Sequence, residues 1–201
     1  MGRILPRGFY NRDTEIVARD LLGAILESST DQGGGGTASG IIVETEAYLG
    51  EHDAACHAAV GPTRRTSPLY GRPGVAYVYF VYGMHWCVNA VTRATGLPSA
   101  VLIRALEPVD GIELMRRRRI RATRDIDLTN GPGKLCAALG IDGGNNGLSL
   151  QRRPLVIREG TRIPDDAVET TPRVGISRAA DWPLRYCIRG HAWVSRGPMV
   201  R

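Results

Sequence analysis

Ile41-Ile42-Val43-Glu44-Thr45-Glu46-Ala47-Tyr48-Leu49-Gly50 sets two carboxylates and an aromatic ring into an apolar, β-branched run. Read at strand period, Glu44, Glu46 and Tyr48 share one face, and Val43, Thr45, Ala47 and Leu49 share the other. Two readings fit these ten residues. In the first the stretch is a half-exposed edge strand with solvated glutamates. In the second one face is core and the other is chemistry: like charges about 7 Å apart on a covered strand face hold a carboxyl away from its free pKa, as a general base requires.

Outward from this strand, the flanking sequence supplies its neighbours. Asn11 to Thr14 offer capping side chains to a short amphipathic helix carrying Ile16, Val17, Leu21 and Leu22 and ending at Gly23. Ala24 to Ser28 starts a strand, and Asp31 to Gly40, with four consecutive glycines, reads as a loop back into the Ile41 strand. Val75 to Thr92 holds two β-branched and aromatic runs about Gly83-Met84, a pair suited to a two-residue hairpin turn with Tyr82 at the tip. As core, Tyr77, Tyr79, Phe80 and Trp86 are simply sheet packing; Tyr82 beside an exposed turn fits that role poorly.

Ser99 to Leu106 is a further strand, interrupted by Arg104, a charge that needs a partner or a ligand if buried. Asp110 to Glu113 has capping-box spacing and opens a helix into six arginines between Arg116 and Arg124, a solvated or phosphate-contacting face. Asn130 to Leu135 opens a helix ending at Gly140; it lacks Walker spacing, although its first backbone NH groups suit one phosphate. Asp142 to Gly147 is a loop, and Leu150 to Ile157 and Arg185 to Val194 read as late strands. Arg173 to Ile176 and Asp181 to Tyr186 show no derivable mechanism. Short strands joined largely by hairpins, with few helices, predict one α+β domain over residues 1–201, on a curved antiparallel or mixed sheet with flanking helices and a protruding hairpin.

Composition narrows the function. A net charge of +6 and 26 basic residues against 20 acidic ones point to a polyanion as the large partner. All but one of the basic residues are arginine; Lys134 is the exception. Cys56, Cys87, Cys136 and Cys187 form no Cys-x-x-Cys pair or zinc spacing and read as reduced, buried thiols. No apolar leader or membrane-length run occurs, so a soluble, cytoplasmic protein is expected. Glu51, His52, Asp53 and His57 crowd titratable groups together without matching a standard metal motif. Arg64 and Arg65 lie in a basic loop, Gly61 to Pro68, suited to phosphates or to water.

A strand carboxylate, nearby tyrosines and a histidine, an aromatic hairpin tip and a basic surface are the parts needed to act on one base of a duplex. Together they resemble the mammalian-type alkyladenine (3-methyladenine) DNA glycosylases, from about Phe9 to Ser195. The carriers are Val43 to Tyr48, Tyr77-Val78-Tyr79 with Tyr82-Gly83-Met84, Arg104 to Pro108, Gly131-Pro132 with Lys134-Leu135, Arg173-Val174-Gly175, and Arg189-Gly190 with Trp193-Val194-Ser195. Each is weak alone; in order they are specific.

The resemblance implies hydrolysis of the N-glycosidic bond of damaged purines flipped out of double-stranded DNA, by a monomer without a cofactor or metal. It makes Glu46 the catalytic carboxylate and Arg104 an arginine holding the flipped nucleotide. It places the base between Tyr48 and His57 with Tyr79, puts Asn89 where a guanine 2-amino group would intrude, and makes Tyr82 the wedge. Arg64, Arg65 and Lys134 are the expected backbone contacts. His85-Trp86 and the Arg64 to Ser67 loop depart from the family pattern. A non-catalytic nucleic-acid binder and a metal-dependent nuclease using Glu51, His52, Asp53 and His57 are the competing classes.

Overall fold

The computed structural model describes residues 2–30 and 35–195. A single turn, α1 (Arg7–Tyr10), and a short helix, α2 (Thr14–Asp20), lead into β1 (Ile25–Ser29) and the central β2 (Thr37–Tyr48). β3 (Ala76–Val81), β4 (His85–Val91) and β5 (Ala100–Asp110) follow, then the helices α3 (Ile112–Arg118) and α4 (Pro132–Leu139). The chain closes with β6 (Gln151–Arg152), β7 (Leu155–Arg158), β8 (Val168–Thr171) and β9 (Arg185–Ile188). The strands form one sheet in the order β3-β4-β5-β2-β1-β7-β6, curled into a half-barrel; β9 pairs with the late half of β2 and carries β8 on its other side. Every pairing is antiparallel, which settles the choice between antiparallel and mixed.

β2 is central because one edge serves β5 along its length, while the other is divided between β1 at Thr37–Ser39 through Ile41 and β9 at Glu44–Glu46. Its side chains alternate from Glu44 to Tyr48, but a bulge between Ile42 and Thr45 breaks the phase, so Ile42 rather than the expected Val43 joins the core with Ala47. Ala47 faces a large core with Ile103, Val101, Val88, Ala90 and Val78, covered by α2, α3 and α4. Thr45 on that face donates from Oγ1 to the Ala18 carbonyl of α2 at 2.8 Å. Leu135 and Leu139 of α4 are fully buried there, each worth about 1.5–3 kcal/mol of transfer free energy. The opposite face carries a second, smaller cluster of Cys56, Ala58, Leu69, Tyr77, Val91 and Ala100, with Tyr48 and Tyr79 packed against it.

Several expectations are corrected. β2 begins at Thr37, so Thr37 to Gly40 is strand, not loop; residues 31–34 of the expected loop lie outside the described residues. Gly40 is needed there because a Cβ would come within 2.8 Å of the Glu107 carbonyl oxygen on β5. The hairpin turn is centred on Tyr82-Gly83, not Gly83-Met84: φ is +52° and +68° there, and the Met84 amide donates to the Val81 carbonyl. α3 has no capping box; Gly111 stands at its N-cap, and the Asp110 carboxylate accepts from Ser39 Oγ. The strand expected over Leu150 to Ile157 is the hairpin β6–β7, and that over Arg185 to Val194 ends at Ile188. β8, with its polar sequence Val-Glu-Thr-Thr, is additional.

Candidate active site

The register of the sheet gathers the chemistry. Glu46 stands across from Leu102 on β5 and Arg185 on β9; Leu102 faces Asn89 on β4, which faces Tyr77 on β3. Directly paired residues share a face, and so do residues two apart on one strand. Glu44, Glu46, Tyr48, Arg104, Cys87, Asn89, Tyr77 and Tyr79 are therefore brought to one side of the sheet.

Over that face lies a cavity of about 470 Å³, lined by Tyr48, His57, Tyr77, Tyr79, Asn89, Arg104 and the start of α4, with Tyr82 and His85 at the hairpin. A volume of this order is typical of small-molecule pockets. The Val174 to Ile176 loop closes another side. α4 approaches the hairpin so closely that a Cβ on Gly133 would fall 2.9 Å from that of His85.

Glu46 is fully buried, just behind the cavity wall, and the groups that hold it form that wall. Tyr48 donates from its hydroxyl to Oε2 at 2.9 Å, Val174 donates its backbone NH to Oε1 at 2.7 Å, and Arg104 Nη1 lies 3.3 Å from Oε2. A carboxylate accepts about four hydrogen bonds, so one acceptor position remains on Oε1. Burial raises its pKa above the ordinary carboxylate range, against the opposing pull of Arg104, the Val174 NH and Tyr48; the charge of Glu44 raises it further.

Glu44, two residues earlier, is the opposite case. It takes Arg104 Nε at 2.8 Å, Arg185 Nε at 2.7 Å, Ser195 Oγ at 2.8 Å and the Ser195 backbone NH at 2.6 Å. Three of these donors meet at Oε1, two of them cationic, and the Ser195 NH alone meets Oε2. Burial opposes ionisation, but the two guanidiniums and the Ser195 NH outweigh it and hold the carboxyl below its usual range.

The aromatic walls are also fixed from behind. The Tyr48 ring lies under the Arg173 guanidinium, 4.7 Å away, and Arg173 is itself clamped by both oxygens of Asp53 at 2.5 and 2.8 Å. His57 Nδ1 and the Tyr77 hydroxyl are hydrogen-bonded at 2.9 Å, and the imidazole meets Tyr79 edge-on at 4.5 Å. Burial, aided by Arg65, lowers the His57 pKa and so favours the neutral ring. Asn89 donates from Nδ2 to the Tyr77 carbonyl at 2.9 Å, which orients its amide.

The remaining expected residues separate into two groups. Arg65 lies over Tyr79 at 5.6 Å, and Lys134 lines the cavity while donating to Asn130 Oδ1 at 2.7 Å. Burial lowers the Lys134 pKa despite nearby Asp127. Arg64 and Tyr82 are exposed, Tyr82 at 79%. The nuclease alternative is not assembled: Asp53 is bound to Arg173, Glu51 accepts from the Tyr70 hydroxyl, and His57 faces tyrosines. Among the described residues no three His, Cys, Asp or Glu side chains form a metal-binding group, and no helix is long and apolar enough to cross a membrane.

Sequence reading left Arg173, Val174 and Arg185 without a mechanism, yet each touches a site carboxylate or its support. They lie 120 to 141 positions from their partners, beyond any periodicity signal.

Comparison with known proteins gives this arrangement a family. Residues 8–192 match the family model described as methylpurine-DNA glycosylase. A relative from Myxococcus xanthus is 48% identical over 197 residues, covering 96% of this chain and 94% of its own. One from Prosthecochloris aestuarii is 47% identical, covering 98% and 92%, and one from Rubrobacter xylanophilus is 50% identical, covering 85% and 86%. All three bear the provisional name 3-methyladenine DNA glycosylase. With its cavity-side carboxylate, its aromatic walls and a match across nearly its whole length, the chain belongs to the methylpurine-DNA glycosylase family and is a DNA glycosylase for alkylated bases.

Proposed function

We propose that the protein flips a damaged purine out of duplex DNA into the 470 Å³ cavity and hydrolyses its N-glycosidic bond with a water activated by Glu46. The observation that carries this reading is the contrast between the two buried glutamates: Glu46 has one guanidinium at 3.3 Å and a raised pKa, whereas Glu44 has two at 2.7 and 2.8 Å and is held below the usual carboxylate range. The water admitted with the nucleotide donates to Oε1 and attacks C1′ of the deoxyribose. The leaving base departs with the bonding electrons, and the proton from water passes to the carboxylate.

Around this step the other residues take the roles their surroundings suit. Tyr48 and the His57–Tyr79 pair form opposing walls for the base. A purine alkylated at N3 or N7 is cationic and attracted to tyrosine faces, and a neutral His57 adds no repulsion. The negative charge of Glu46 favours the oxocarbenium-like sugar of the transition state. Asn89 opposes a guanine 2-amino group, Tyr82 fills the vacated stack, and Arg64, Arg65 and Lys134 meet phosphates. Arg104 acts chiefly through Glu46, because its nitrogens are directed to Glu44, Glu46 and Ser195. The sole lysine donates to Asn130, which suits a structural or backbone-contacting role rather than attack on C1′, and the product is an intact strand with an abasic site.

The test is base release from duplexes carrying hypoxanthine, ethenoadenine or 3-methyladenine. Glu46→Gln is expected to bind such duplexes and lose about 10²-fold or more in single-turnover release, within the range for removing a general base. In the wild type the rate is expected to rise with pH through the raised pKa of Glu46, since the carboxylate form is the base. Near-normal release by Glu46→Gln, with loss in Glu44→Gln, would move the base to Glu44.

A further inference from the structure

Glu44 performs no step in the reaction just proposed, yet it gathers the two cations that could otherwise act on Glu46. Arg104 bridges both carboxylates, but its Nε lies 2.8 Å from Glu44 while its Nη1 lies 3.3 Å from Glu46. Arg185 stands directly across from Glu46 in the β2–β9 register, yet its guanidinium is turned to Glu44 at 2.7 Å. Ser195 completes the arrangement: its Oγ and NH donate to Glu44, and its carbonyl accepts from Arg185 Nη2 at 3.2 Å. Ser195 is thereby pinned to Glu44 and Arg185.

We infer that Glu44 is a positioning residue that holds Arg104 against Glu46 and, by neutralising Arg104 and Arg185 together, sets the pH at which Glu46 becomes a working base. The inference rests on the assignment of Glu46 as base. The charged and titratable groups around Glu46 are Glu44 and Tyr48 from β2, Arg104 from β5, Arg185 from β9, Arg173 with its partner Asp53, Tyr79 from β3 and Cys87 from β4. Arg173 is answered by Asp53. The remaining two cations are answered by Glu44, and without it their charge would fall on Glu46 and favour its ionised form. Glu44 thus helps keep the pKa of its neighbour above the ordinary carboxylate range.

The experiment is a pH profile of single-turnover release, from about pH 4 to 9, on a duplex carrying hypoxanthine, an uncharged lesion base. Glu44→Gln is expected to move the acid limb down by about one pH unit, and Glu44→Asp, which keeps the charge, to leave it near the wild-type position even if the rate falls. Arg185→Gln removes one cation from the less enclosed side and is expected to move the limb up. It carries the test should Glu44→Gln fail to fold. A limb that stays in place in both charge-changing variants would overturn the inference, leaving Glu44 as packing only. The Glu46→Gln arm separates the two assignments. If it is inactive while the limb stays fixed in the other variants, only the role of Glu44 falls; if it is active with an unchanged acid limb, both assignments fall.

Discussion

Asp53 shows how a single residue supports the site without facing it. Its two oxygens clamp Arg173 and also accept from the Leu49 and Ala55 backbone NH groups, so the carboxylate ties the end of β2 to the loop that carries Val174. Burial opposes its ionisation, but Arg173 and the two NH groups prevail and hold the pKa below the usual aspartate range. Because the folded value is depressed, the stabilisation is present above an ordinary aspartate pKa of about 4 and is lost as pH falls through the folded value. Asp53→Ala leaves the Arg173 cation buried and unpaired, and is expected to cost about 3–5 kcal/mol in denaturant unfolding. It should also slow release, because Tyr48 and the Val174 NH both depend on where Arg173 sits. Replacing the pair by apolar residues, Asp53→Leu with Arg173→Met, should recover much of the stability and none of the activity. Recovery of both would show that the pair only fills space. From sequence Asp53 is one of four candidate metal ligands; its partner, 120 positions away, decides otherwise.

At the scale of elements, much was legible where local chemistry dictates structure. The alternation of β2 from Glu44 to Tyr48, the paired runs of β3 and β4, and α4 stopping at Gly140 in a left-handed conformation all follow from the sequence pattern, whereas the bulge that puts Ile42 in place of Val43 in the core does not. What was not legible lacks a local signal. β8 is polar and half exposed, so it forms through β9, and β6–β7 is too short to show a period. The hairpin was placed correctly with its turn one residue late, because the pattern assigns left-handed geometry to glycine, whereas Tyr82 also adopts it. A tyrosine at φ +52° costs about 1–2 kcal/mol relative to glycine. Strain on an exposed ring points to use rather than packing. Tyr82→Gly should therefore keep or raise the melting temperature and reduce flipping, followed as the fluorescence change of ethenoadenine leaving the stack. Flipping of normal amplitude and rate in this variant would reduce Tyr82 to a turn residue.

For the whole molecule, the net charge of +6 named a polyanion but overstated how much of the basic surface is available to one. The arginine run from Arg116 to Arg124 is partly answered within the fold: Arg116 pairs with Glu113 and Asp125, and Arg124 with Asp127. Composition counts such charges as free; the fold does not. Lys134, by contrast, lines the cavity, Arg65 lies over the ring of Tyr79, and Arg64 is exposed beside Arg65. Each phosphate neutralised on B-DNA contributes about −0.9 to the slope of log affinity against log salt. Contacts from Arg64, Arg65 and Lys134 alone predict a slope of about −3, and participation of the whole arginine run would steepen it towards about −8. Titration of one lesion duplex between about 50 and 200 mM salt distinguishes these values. Arg64→Ala and Arg65→Ala should each flatten the slope by about 1, while Arg116→Ala and Arg124→Ala should leave it within error. If the last two variants flatten it instead, their acidic partners release them on binding, and the DNA path runs across α3 rather than past the start of α4.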